Sequence, residues 1–89
     1  MVINYSNLIQ TQTDNTKIDI KKNVVIQDLS IIKSKDKDVL INKGTVIGSN
    51  CNIQDSQIGE NCTIGYGSTI QKNCKIGNNC VLGAGSFLL

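Results

Sequence analysis

Residues 58–87 read as five consecutive blocks: Ile58-Gly59-Glu60-Asn61-Cys62-Thr63, Ile64-Gly65-Tyr66-Gly67-Ser68-Thr69, Ile70-Gln71-Lys72-Asn73-Cys74-Lys75, Ile76-Gly77-Asn78-Asn79-Cys80-Val81 and Leu82-Gly83-Ala84-Gly85-Ser86-Phe87. Each opens on an aliphatic and has six residues. Upstream the aliphatic recurs at Ile41, Ile47 and Ile53, so the steps from Ile41 to Leu88 are 6, 6, 5, 6, 6, 6, 6 and 6. A six-residue step fits neither the 3.6-residue helical turn nor a heptad. It is compatible with strand, because six is a multiple of two.

Two further columns give the period physical content. Two residues before each aliphatic stands a small or medium side chain: Val39, Thr45, Cys51, Ser56, Cys62, Ser68, Cys74, Cys80 and Ser86. Residues two apart on a strand share a side, so both columns face one interior. Three residues after the aliphatic comes Asn23, Gly44, Asn50, Asn61, Gly67, Asn73, Asn79 or Gly85. Asn and Gly tolerate a left-handed backbone at low cost. One such corner per six residues predicts short strands meeting at regular bends, a triangular coil. The tract Ile20, Ile26, Ile31 continues the period with steps of 6 and 5, the shorter unit opening like Ile53-Gln54-Asp55.

Composition narrows the chemistry. The 89 residues include three aromatics, nine lysines, no arginine and no histidine, for a net charge of +2. Few aromatics argue against a base-stacking platform. Without arginine there is no bidentate phosphate clamp or guanine reader. Asp14, Asp19 and Asp28 interleave with the N-terminal lysines, so no nucleic-acid partner is expected. No apolar run approaches the roughly 18 residues that span a bilayer, and Met1–Gln10 lacks the features of a secretory signal. A cytoplasmic chain with no membrane partner is expected, its four cysteines reduced. Their spacings of 11, 12 and 6 do not suit a structural zinc site, so no metal is expected.

The units Ile58–Thr63, Ile76–Val81 and Leu82–Phe87 resemble the hexapeptide repeat, and the resemblance covers roughly residues 18–89. It implies an all-β fold, a left-handed parallel β-helix of about four triangular coils, for residues 18–89. Residues 1–17 do not keep the hexad and are expected to form an N-terminal cap. With three units per coil, the ladders Ile41/Ile58/Ile76, Ile47/Ile64/Leu82 and Ile53/Ile70/Leu88 should stack inside. Cys62 should lie under Cys80, too far for a disulfide at the inter-strand spacing. The coils also resemble the C-terminal domain of sugar-nucleotide pyrophosphorylases, whose nucleotide-binding domain this sequence lacks.

The period breaks between Ile31 and Ile41, where the surplus residues form a loop insertion at about 32–38. It reads either as a solvated excursion or as a functional loop on a rigid scaffold. The resemblance implies an acyltransferase, with acetyl-CoA or another acyl-CoA as co-substrate rather than a permanently bound cofactor. The acceptor would be a small hydroxyl or amine, and the assembly a homotrimer with sites between subunits. On that reading Asp36 or Asp38 supplies the carboxylate base, and Lys35 and Lys37 attract phosphate. Gly83-Ala84-Gly85-Ser86 resembles the small-residue corner beside which the coenzyme lies. The chain departs from the family in having no histidine to accept the proton, which also excludes the three-histidine metal site of gamma-class carbonic anhydrases. The alternative is a non-catalytic β-helical assembly or scaffold module. At the other end, Phe87-Leu88-Leu89 leaves an apolar coil edge expected to be covered by another chain, stacked through the C-terminal end.

Overall fold

The computed structural model describes residues 2–3, 6–11 and 15–88. Parts of the expected cap (1, 4–5 and 12–14) and Leu89 lie outside the described residues. The chain is all β among the described residues. Its strands are β1 (Val2–Ile3), β2 (Leu8–Thr11), β3 (Ile18–Ile20), β4 (Val25–Ile26), β5 (Ile31–Ser34), β6 (Val39–Ile41), β7 (Val46–Ile47), β8 (Asn52–Gln54), β9 (Gln57–Ile58), β10 (Thr63–Ile64), β11 (Thr69–Ile70), β12 (Lys75–Ile76), β13 (Val81–Leu82) and β14 (Phe87–Leu88). Every third strand pairs in parallel. The first sheet is β1-β4-β7-β10-β13, the second β2-β5-β8-β11-β14 and the third β3-β6-β9-β12. Three sheets wound in rotation make the triangular β-helix implied by the hexad.

All three expected ladders form, with Ile41↔Ile58↔Ile76, Ile47↔Ile64↔Leu82 and Ile53↔Ile70↔Leu88 in register. Eight isoleucines are fully buried in this core: Ile26, Ile32, Ile41, Ile47, Ile53, Ile58, Ile64 and Ile70. Each such burial stabilises the fold by about 1.5–3 kcal/mol. The corners are equally regular. Asn23, Gly44, Asn50, Asn61, Gly67, Asn73, Asn79 and Gly85 all have φ between 55° and 75°.

The small inward residues brace these corners. Ser30 Oγ donates to Gly48 O at 2.7 Å and accepts the Cys51 N–H at 3.1 Å. Thr45 does the same between Gly59 O and the Cys62 N–H, and Ser56 between Gln71 O and the Cys74 N–H. A hydroxyl in this slot therefore satisfies buried backbone groups as well as filling space. Cys62 precedes Cys80 by one coil in the same column, and all four cysteines are free thiols.

Two details differ from the sequence reading. First, the inward residue of β5 is Ile32, not Ile31. Ile32 pairs with Ile53, and Ser30 and Ser34 fill the inward small slots, all three fully buried. An inward Ile31 would have carried Lys33 inward too, and burying an unpaired ammonium is costly. The unit Ile26–Ile31 therefore has six residues, and the insertion between Ile32 and Ile41 adds three. The excursion itself is confined to residues 35–38, since 32–34 remain in β5. Second, Val2–Ile3 and Leu8–Thr11, assigned above to the cap, pair with β4 and β5. They make a first coil, stacked on the rest, before the regular hexads begin.

Candidate functional site

The excursion leaves the corner between β5 and β6, and the next coil has its five-residue unit at the same corner. There Asp55 stands at φ 50° with only 2% of its surface exposed. Its carboxylate faces the excursion. Oδ1 accepts the Lys35 N–H at 2.7 Å, and both oxygens lie 3.2 Å from the Asp36 nitrogen, whose N–H they share. Burial disfavours the charged form. Hydrogen bonds from the backbone of Lys35, Asp36 and Lys37 and from the Gln54 side chain outweigh that effect and hold the carboxyl below its usual range. Ser34 Oγ donates to Lys37 O at 2.9 Å from within, and Asp38 Oδ1 accepts the Lys17 N–H at 2.9 Å on the outer side. The excursion is thus fixed at several points along its length.

This wall overhangs an open cleft of ≈ 420 Å³. Lys37 and Asp38 line it from the excursion, Asp55 and Gln57 from the next coil, and Asn73, Cys74 and Lys75 from the coil after that. Of the four charged residues singled out in the excursion, Lys37 and Asp38 reach the cleft, while Lys35 and Asp36 are exposed outside its lining. The candidate coenzyme corner is elsewhere. Gly83–Ser86 joins β13 to β14, so it lies on the edge between the first and second sheets, three coils further along. Its Gly85 has φ +71° and Ser86 Oγ donates to Gly83 O at 2.6 Å. One chain therefore does not bring Asp36 or Asp38 together with Gly83, Ala84, Gly85 and Ser86.

The chemistry open to these groups is limited. Asp38 has one oxygen engaged by a backbone amide, and Asp55 is held ionised by several, which makes it a weak proton acceptor. Burial pushes the Cys51 thiol up despite its hydrogen bonds, so it is not poised as a nucleophile. Sequence reasoning noticed Asp55 only as part of a short unit; the signal was there, a missing corner residue one coil after an insertion. It missed Leu29, which the correct register puts in the Asn/Gly column at φ 62°, with 60% of its surface exposed.

The surface of the prism is sharply divided. Outward positions on the first sheet are Val2, Val25, Val46, Thr63 and Val81, a charge-free stripe. All seven exposed large apolar residues among those described (Val2, Ile3, Leu8, Leu29, Tyr66, Val81 and Phe87) lie on the first two sheets or their shared edge. Eight of the nine lysines lie on the third sheet or its two edges, Lys33 on the second sheet being the exception.

Together the hexad, its left-handed corners and its stacked isoleucine ladders define a β-helix of the hexapeptide-repeat type. Residues 55–89 match the model of the bacterial transferase hexapeptide (six repeats) family. A search of curated proteins gave no match. Among solved structures, the CcmM N-terminal domain, crystallised in complex with CcmN, is similar with a TM-score of 0.78 and 20% identity. The match covers 92% of this chain and 91% of that one, and the likeness is one of fold. No helix among the described residues is long and apolar enough to cross a membrane.

Proposed function

We propose that this chain is a non-catalytic β-helical assembly module. Copies pack through the edge between the first and second sheets, as a homotrimer, with the third sheet facing outward. The observation that carries this reading is the segregation of exposed apolar side chains from lysines. The stripe of Val25, Val46, Thr63 and Val81 offers apolar area with no charge of its own to desolvate, Asp28 being the charged residue on the edge shared with the second sheet among those described. Packing through the third sheet would instead bring lysines of like charge together. A similar fold crystallised with a partner protein is consistent with assembly as the role.

Sedimentation at micromolar concentration tests this. The native chain should run as a trimer. Thr63→Lys with Val81→Lys should give a folded monomer by circular dichroism, whereas Lys43→Glu on a far edge should leave the trimer intact. A native monomer, or dissociation by Lys43→Glu alone, contradicts the reading.

The match of residues 55–89 to a transferase family model favours a second reading, acyl transfer from acetyl-CoA in the cytoplasm. Because Gly83–Ser86 and the excursion are apart within one chain, the site would have to be built between chains. Calorimetric binding of acetyl-CoA, together with a roughly hundredfold fall in turnover for Asp36→Asn or Asp38→Asn, would establish it.

A further inference from the structure

The cleft beneath the excursion is made by two departures from the repeat that fit one another. Ile32 to Ile41 gains three residues, and Ile53 to Ile58, stacked directly on it, loses one. The uniform hexad requires neither. Insertions in repeat proteins gather on the face that binds, and this one is fixed in place by a buried carboxylate rather than left loose.

We propose that this cleft binds a small anionic compound through a carboxylate or phosphate group. Its volume of ≈ 420 Å³ is in the range of small-molecule sites. Both carboxylates in its lining are held by backbone amides, Asp55 through both oxygens and Asp38 through one. Asp38 Oδ1 takes the Lys17 N–H, and Asp55 takes those of Lys35 and Asp36. Among the described residues the ion pair within 4.0 Å is Lys21–Asp19, so the ammonium groups of Lys37 and Lys75 are unpaired. Gln57 and Asn73 add side-chain amides to the lining. Two ammonium groups and two amides around a recess whose carboxylates are bound to backbone suit an anion, since charge-assisted bonds from ammonium to carboxylate or phosphate are among the stronger ones. A cation would have to compete with the backbone amides for Asp55. The site does not depend on the assembly reading, and an outward third sheet leaves it accessible.

The test is a heteronuclear NMR titration of the labelled full chain with sodium phosphate and, separately, sodium succinate, with ionic strength held constant by sodium chloride. Saturable shifts should appear at the amides of Lys37, Asn73 and Lys75 with at least one probe, and the responding probe identifies the headgroup. Lys37→Gln with Lys75→Gln, both exposed changes, should weaken binding tenfold or more. Lys21→Gln with Lys22→Gln, on another edge, should leave it unchanged. Absence of saturation with both probes, shifts spread over every lysine, or undiminished binding by Lys37→Gln with Lys75→Gln overturns the proposal.

Discussion

The Asp55 carboxylate accepts the Lys35 backbone N–H at 2.7 Å, joining the point where the repeat loses a residue to the point where it gains three. The bond is partly buried and charge-assisted, and its acceptor, the buried Asp55, sits at a left-handed corner. It converts two irregularities into one fixed feature.

Asp55→Asn keeps a residue that tolerates positive φ while removing the charge. The variant should lose about 1–3 kcal/mol, because an amide oxygen is a poorer acceptor and its NH2 group opposes the backbone donors. Urea denaturation gives the stability. Amide hydrogen exchange at Lys35 and Asp36 should quicken while exchange at the Ile64 amide stays slow. Unaltered exchange at Lys35 would show that the excursion stands without Asp55.

The same carboxyl makes stability depend on acid. Its folded pKa is depressed by backbone and Gln54 hydrogen bonds that overcome burial, so the unfolded chain takes up the proton first. Its contribution is therefore complete above the unfolded value of about 4 and is lost as pH falls through the lower folded value. The urea midpoint of the native chain should decline through that acid window. The difference between native and Asp55→Asn chains should be largest above it and shrink below.

Leu29 has φ 62° where the three following coils carry Asn50, Gly67 and Gly85. A leucine held in the left-handed region is strained by about 1 kcal/mol or more, and its exposed side chain gains little within the chain. Leu29→Asn should therefore raise the stability of the isolated chain by about 1 kcal/mol in thermal or urea denaturation. If the apolar edge is the assembly surface, the same change should weaken association. A fall in chain stability would mean that Leu29 makes packing contacts its exposure does not reveal.

Glycines after the inward aliphatic divide by what lies over them. A Cβ on Gly65 would come within 2.6 Å of the Ala84 nitrogen, whereas one on Gly83 would meet nothing within 4 Å. Neither has a positive φ, so the comparison isolates steric clash. Gly65→Ala should destabilise by about 1–3 kcal/mol through forced separation of two coils. Gly83→Ala should be nearly neutral by the same denaturation assay.

Most of the fold was legible because the interior repeats. Isoleucine ladders and Asn/Gly corners recur together, and each later unit confirms the register of the one before. Legibility failed where two adjacent isoleucines, Ile31 and Ile32, offered alternative registers beside an insertion. Considering that Lys33 cannot point inward decides between them. It failed again at residues 2–11, because a longer connection precedes β3 and interrupts the period, although Ile3 and Ile9 are six apart. The cleft was less legible than the coils. Lys37 and Lys75 are 38 residues apart, and only the winding of the third sheet and its neighbouring corner makes them share a recess. Asp36 and Asp38 suggested a base by residue type, but sequence alone does not show a backbone amide already occupying Asp38.

Successive coils are hydrogen-bonded to one another, from Val2 N to Val24 O at one end to Gln71 N to Leu88 O at the other. Among the described residues no distant segment locks the two ends together, so tension along the coil axis meets one rung at a time. Under such a load the protein should unspool like thread, releasing roughly 60 Å of slack for each rung of about 18 residues.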